Sequence, residues 1–155
     1  MNKVIVTGGA GFIGSNLVKR LLDDGVNEVL VIDDFSTGKK ENLIDSSKVK
    51  LIESKLEDLD DIKSEFKGYD FCFHLAAGVG VQYIMDNLSD SLLTNIQGTH
   101  IVFEACKENN IPVLITSTSE IYGTSKEESW DEETKSLIGP TTKLRWSYAV
   151  SKMID

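Results

Sequence analysis

The stretch Lys3-Val4-Ile5-Val6-Thr7-Gly8-Gly9-Ala10-Gly11-Phe12-Ile13-Gly14 decides the fold. Lys3 to Thr7 is a short β-branched run closed by glycines, which predicts a buried strand. From Phe12 to Asp24 the apolar residues Phe12, Ile13, Leu17, Val18, Leu21 and Leu22 recur near the helical period, and Gly25 stands where a C-terminal cap belongs. Strand, turn and helix therefore follow one another directly. Gly8, Gly11 and Gly14 fall in a G-x-x-G-x-x-G spacing. A backbone that must turn sharply, approach a pyrophosphate and pack a helix onto a sheet excludes side chains at such positions.

The rest of the chain repeats the alternation. Glu28–Asp33 and Val49–Ile52 predict a second and third strand, and Asp58–Phe66 a helix entered through acidic residues that suit the positive end of its dipole. Phe71–Leu75 is a fourth strand and Ser91–Asn109 a long amphipathic helix, with Ser89, Asp90 and Ser91 as capping candidates. Ile111–Thr116 is a fifth strand with Pro112 at its start, Trp130–Thr142 a surface loop, and Leu144 onward a further helix. Buried strands separated by helices imply right-handed βαβ units, hence an α/β fold with a doubly wound parallel sheet of Rossmann type. Ligands of such sheets bind at the carboxyl ends of the strands. Because Asp155 lies inside a predicted helix, the sheet is expected to be incomplete at its C-terminal side.

Composition bounds the alternatives. The 155 residues, 41% hydrophobic and 26% charged, suit one globular domain over 1–155 and exclude a disordered or low-complexity chain. Sixteen basic against 25 acidic residues give a net charge of -9, which argues against a nucleic-acid partner. Two cysteines without a C-x-x-C pattern give neither a disulfide framework nor a zinc site, so no metal is expected and the setting reads as reducing and cytoplasmic. The first apolar run breaks at Gly8-Gly9, too early for a signal peptide, and no stretch approaches a membrane span, so no membrane partner is expected.

Three further signals carry chemistry. Asp33, at the end of the second predicted strand, can accept bonds from an adenosine ribose and would repel a 2'-phosphate, which favours NAD over NADP. The plainer reading is that Asp33 and Asp34 only begin a solvated loop. Thr37-Gly38-Lys39-Lys40 lacks the upstream glycine and the hydroxyl of a P-loop. Tyr148-Ala149-Val150-Ser151-Lys152 sets a phenol and an ammonium one helical turn apart, where the cation can lower the phenol pKa toward neutrality and make it a base for a sugar hydroxyl. Alone, the pair reads more often as a partly buried packing tyrosine plus a surface charge. Ser117-Thr118-Ser119-Glu120-Ile121-Tyr122-Gly123 follows the fifth strand, where a ligand would sit, and reads also as a polar loop capping a helix. Cys72, Cys106 and His74 are expected to pack in the core.

In this order, with Leu75-Ala76-Ala77 after the fourth strand and Asn95 in Asn95-Ile96-Gln97-Gly98-Thr99, the motifs resemble the extended short-chain dehydrogenase/reductases. Within these they resemble the NAD-dependent nucleotide-sugar epimerase/dehydratase group, over essentially the whole chain. Thr116–Gly123 and Gly139–Lys152 look most like bacterial UDP-glucuronate decarboxylases, including the decarboxylase domain of the enzyme that modifies lipid A. The resemblance implies that Gly8, Gly11 and Gly14 hold the NAD pyrophosphate, with the Phe12 and Ile13 amides assisting. It implies Asp33 on the adenosine ribose, Leu56 against adenine, Leu75, Ala76 and Ala77 along the cofactor channel, and Asn95 as the helix-four asparagine of that cofactor site. Tyr148 takes the proton from the sugar C4 hydroxyl as NAD+ oxidises that carbon. Lys152 lowers the Tyr148 pKa and holds the nicotinamide ribose, and Thr118 bonds the C4 oxygen. One departure stands out: Ser54 and Lys55 occupy the place of the group's Gly-Asp pair, whose aspartate contacts adenine.

The branch after C4 oxidation is partly readable. Dehydratases resembling this group carry Thr-Asp-Glu where this chain has Thr118-Ser119-Glu120, so the acid that expels a C6 hydroxyl is missing and a 4,6-dehydratase is disfavoured. A 4-keto uronic acid is a β-keto acid and loses carbon dioxide readily, with Glu120 and Ser119 positioned to assist. A UDP-glucuronate decarboxylase is therefore expected, with a UDP-sugar 4-epimerase acting on UDP-glucose or UDP-glucuronate as the alternative. A non-catalytic NAD-binding module would be expected to have lost Tyr148 or Lys152. Family members are about twice this length, so the substrate-binding part is expected to be absent, this polypeptide alone inactive, and the full-length protein a homodimer acting on a nucleotide sugar.

Overall fold

The five apolar runs form strands β1 (Lys3–Thr7), β2 (Glu28–Asp33), β3 (Val49–Glu53), β4 (Phe71–His74) and β5 (Val113–Ile115) in a computed structural model that describes residues 1–78 and 88–155. All pair in parallel, in the order β3-β2-β1-β4-β5. The winding reverses between β1 and β4, so the carboxyl ends of these two strands form the switch point at which open α/β sheets bind ligands. Among the described residues the α-helices are α1 (Phe12–Asp23), α2 (Ile62–Glu65), α3 (Leu88–Asn109) and α4 (Trp146–Ile154).

The chain divides into two compact units, Met1–Ala77 with Gln97–Thr116, and Gly78–Ile96 with Ser117–Asp155. In the first, strand alternation sends successive side chains to opposite faces of the sheet. Ile5, Leu30, Ile32 and Cys72 pack with Phe66, Val102, Ala105 and Cys106, whereas Val4, Val6, Val29 and Val31 pack with Val18, Leu21 and Val26. Each fully buried side chain of this size contributes about 1.5–3 kcal/mol. Both faces are covered, as a doubly wound sheet requires. The second unit contains a 3-10 turn, Ser119–Tyr122, and α4. Here Tyr122 stacks on Trp130 with ring centroids 5.1 Å apart.

The helix ends explain most differences from the sequence-based expectation. Gly25, at φ +90, ends α1 as expected, with Val26 N–H donating to the Leu21 carbonyl and Gly25 N–H to that of Leu22. Asn110 does the same for α3 at φ +55, and Ile111 N–H donates to the Cys106 carbonyl. Ile111 therefore closes a helix rather than opening β5. The helix expected over 58–66 is only Ile62–Glu65, because Leu56–Asp58 forms a separate 3-10 turn and the Asp61 carboxylate restarts the chain as an N-cap, accepting from Ser64 N–H. The long helix is described from Leu88, so Ser89, Asp90 and Ser91, expected to precede it as caps, lie inside its first turn.

Candidate active site

In the first unit, the turn between β1 and α1 is shaped by close approaches. Gly8 has φ +70, and a Cβ there would fall 2.7 Å from the Ala76 nitrogen. A Cβ at Gly14 would enter the shell of the Gly8 carbonyl, and one at Gly9 would lie 2.7 Å from Cγ1 of Val31. Gly11 differs. A Cβ there would meet nothing nearer than the Gly8 carbonyl oxygen at 3.4 Å, an ordinary contact, and its φ is -71. The protein's own packing does not require glycine at 11, whereas a ligand lying against that backbone does.

Gly11 also caps α1 without a side-chain hydrogen bond, no acidic residue stands in the first turn, and Phe12 and Ile13 are 85% and 65% exposed. The positive end of the helix dipole thus faces outward with no acidic side chain in its own first turn, which suits a pyrophosphate. Asp33 is buried beside it. One carboxylate oxygen accepts from Ala10 N–H at 2.8 Å and the other from Phe35 N–H at 2.9 Å. Each oxygen keeps a lone pair for a ribose hydroxyl. The following loop leans on the same place: Lys39 N–H and the Asn42 amide both donate to the Ala10 carbonyl, and a Cβ at Gly38 would lie 3.0 Å from Asp33 Oδ1.

Leu75, Ala76 and Ala77 are partly buried just beyond β4, with Leu75 N–H on the Thr7 carbonyl and Ala76 N–H on Thr7 Oγ1. Leu56, expected against adenine, is buried in the apolar core, with its Cδ1 3.3 Å from where a Gly98 Cβ would be. Its side chain belongs to the packing of α3. His74 packs in the core as expected, with Nδ1 2.7 Å from Thr7 Oγ1 and Nε2 3.1 Å from Thr99 Oγ1. A carboxylate, a wall of backbone and an uncapped helix end together fit a dinucleotide.

In the second unit, Thr118 caps the 3-10 turn by accepting from Glu120 N–H at 3.3 Å, which leaves its hydroxyl proton free to donate. Tyr148 and Lys152 lie on α4, the first half-buried and the second buried. Burial pushes the Tyr148 phenol above its ordinary range, and the Glu120 and Asp155 carboxylates add to the rise. This reverses the expectation that Lys152 lowers it. The Lys152 ammonium is paired with the buried Asp155 carboxylate, so its charge is largely neutralised. Asn95, expected among the cofactor contacts, is buried and held by protein: Oδ1 accepts from Gly78 N–H at 2.7 Å and Nδ2 donates to Ser151 Oγ at 3.2 Å. Ser151 in turn donates to the Tyr148 carbonyl at 2.8 Å. Asn95 therefore positions α4. Sequence reasoning missed Ser151, whose only signal was its place inside Tyr148–Lys152, and Asp155.

Comparison with known proteins accords with this geometry. The model of the NAD dependent epimerase/dehydratase family matches residues 4–154. UDP-N-acetyl-alpha-D-glucosaminuronate decarboxylase from Bacillus cytotoxicus is 34% identical over 99% of this chain and 47% of its own length. The UDP-N-acetylglucosamine 4-epimerase of Methanobrevibacter ruminantium, solved with UDP-N-acetylmuramic acid, superposes with a TM-score of 0.87 at 35% identity, covering 98% of this chain and 47% of its own. The dTDP-glucose 4,6-dehydratase of Streptomyces venezuelae, solved with NAD bound, gives 0.86 at 30% identity, covering 98% and 48%. The chain belongs to the NAD dependent epimerase/dehydratase family, a family of enzymes whose cofactor is NAD. It spans just under half the length of these relatives.

Proposed function

We propose that the protein oxidises a nucleotide sugar at C4 to a 4-keto intermediate, and that its reaction is the decarboxylation of UDP-glucuronate. The observation that carries this reading is Thr118-Ser119-Glu120, with a carboxylate close enough to raise the Tyr148 phenol and no aspartate to expel a C6 hydroxyl. When bound at the glycine turn, NAD+ supplies the oxidant for C4 and afterwards returns the reducing equivalents. Tyr148 takes the proton of the C4 hydroxyl. Thr118 donates to the same oxygen and stabilises it as it becomes a carbonyl. A ketone at C4 makes the C6 carboxylate that of a β-keto acid, so the C5–C6 bond breaks with its electron pair delocalised into the C4 carbonyl. C5 then takes a proton, and Glu120 and Ser119 are the polar groups proposed to serve that step.

Because burial, Glu120 and Asp155 raise the phenol, the base form of Tyr148 is favoured by rising pH, and Glu120→Gln, by removing a negative neighbour, moves its titration downward. A difference ultraviolet titration against Tyr148→Phe reads that shift. An upward or absent shift on Glu120→Gln would separate Glu120 from the site. The same reading takes the enzyme as a cytoplasmic homodimer. Val150, Met153 and Ile154, 41–60% exposed along α4, supply an apolar face for a partner copy. Residues 1–155 are read as the NAD-binding portion.

The test is incubation of the full-length protein with NAD+ and UDP-glucuronate, following the nucleotide sugar by mass spectrometry. Loss of carbon dioxide is expected. An unchanged mass with a shifted retention time would make it a 4-epimerase, and no change would direct the assay to UDP-glucose.

A further inference from the structure

Three polar side chains stand in the apolar core of the first unit with almost no exposure: Thr7 at 0%, His74 at 1% and Thr99 at 4%. Thr7 and His74 are register partners on the central strands β1 and β4, on the face that carries Ile5 and Cys72. The neighbouring pairs on these strands are apolar, so the volume alone calls for an aliphatic side chain. An imidazole here is tolerated only because its nitrogens are bonded.

Ala76 N–H donates to Thr7 Oγ1 at 3.2 Å. Thr7 Oγ1 lies 2.7 Å from His74 Nδ1, and His74 Nε2 lies 3.1 Å from Thr99 Oγ1; a hydroxyl carries one proton and two lone pairs, so in either imidazole tautomer Thr7 bonds His74 and the Ala76 N–H together. A hydroxyl otherwise free to rotate is thereby fixed with an acceptor aimed at Ala76. The Ala76 nitrogen is also the atom that a Cβ on Gly8 would approach to 2.7 Å, so Ala76 backbone is the wall facing the glycine turn.

We propose that His74 is a positioning residue for dinucleotide binding: through the Thr7 hydroxyl it fixes the Ala76 backbone against Gly8 and so sets the width of the cradle. The inference rests on the reading that the glycine turn holds NAD. The imidazole touches no ligand and acts one residue removed.

Two amide replacements separate this role from mere packing. His74→Asn places its amide oxygen near the Nδ1 position and keeps the bond to Thr7. His74→Gln reaches the Nε2 position and keeps the bond to Thr99 instead. In the full-length protein both lower the melting temperature. NAD+ titration calorimetry is expected to give an affinity within about twofold of wild type for Asn and about tenfold weaker for Gln. Hydrogen exchange at the Ala76 amide is expected to accelerate in Gln but not in Asn. Equal loss of affinity in both variants, or none in either, overturns the proposal. If His74→Gln does not fold, Thr7→Val is expected to weaken NAD+ about tenfold and Thr99→Val by no more than about twofold, and equal effects overturn it again. Wild-type protein that binds no NAD+ would overturn the reading of the turn and this inference with it.

Discussion

The two ends of strand β2 each carry a carboxylate, and the two are solvated in opposite ways. Glu28, at the start of the strand, is held by side chains: Lys3 at 3.2 Å, Lys50 at 3.0 Å and the Tyr69 hydroxyl at 2.8 Å. These partners lower its pKa to about 2. Asp33, at the other end, is held by the backbone N–H groups of Ala10 and Phe35. Flexible cations serve where only stability is at stake. Rigid main-chain donors fix the Asp33 carboxylate more closely, which is what the proposed ribose contact would need. Thr7 and His74, at the same end of the sheet as Asp33, follow the second pattern, with hydroxyl and imidazole in place of charge.

The sharpest way to break the contrast is at Gly14. Valine there collides with the Gly8 carbonyl, and the expected cost is about 3 kcal/mol or more with loss of NAD+ binding, read by chemical denaturation and calorimetry. Next is Asp33→Asn, which turns an amide NH2 toward one of two N–H donors. A loss of about 1–3 kcal/mol is expected, together with weaker NAD+ binding. Glu28→Gln should do least, about 1 kcal/mol, with NAD+ affinity unchanged. Its effect is also pH-dependent. A lowered folded-state pKa stabilises above the ordinary carboxylate range, so the advantage of Glu28 is full near neutrality and disappears as the pH falls from 4.5 toward about 2. Urea denaturation of wild type and Glu28→Gln across that window should converge at the acid end. If Asp33→Asn and Glu28→Gln affected stability and NAD+ affinity alike, the distinction between the two ends would fail.

How much was legible follows from range along the chain. Lys3–Thr7 and Glu28–Asp33 were readable to the residue because β-branched runs end at glycine or acidic turns, and Gly25 declared its left-handed cap. The left-handed Asn110 was not, since asparagine declares that conformation less strongly than glycine, and β5, expected from Ile111, begins at Val113. At the site, the glycine spacing is local and was visible. The hydroxyl of Ser151 on Asn95, and that of Thr7 on His74, join residues 56 and 67 positions apart, and no periodicity encodes such a pair. The upward displacement of the Tyr148 phenol was hidden for another reason: helical spacing puts Lys152 near, but only packing shows that Asp155 has already claimed its charge.

The loop resting on Ala10 has a consequence for redesign. Asp33 accepts from the Ala10 N–H, Lys39 and Asn42 donate to the Ala10 carbonyl oxygen, and a Cβ on Gly38 would fall 2.9 Å from the Ala10 carbonyl carbon. Exchanging Asp33 alone would leave the Ala10 N–H without its acceptor, with Gly38 still close against the altered place. The transplantable piece is the cassette from 33 to 42, moved whole.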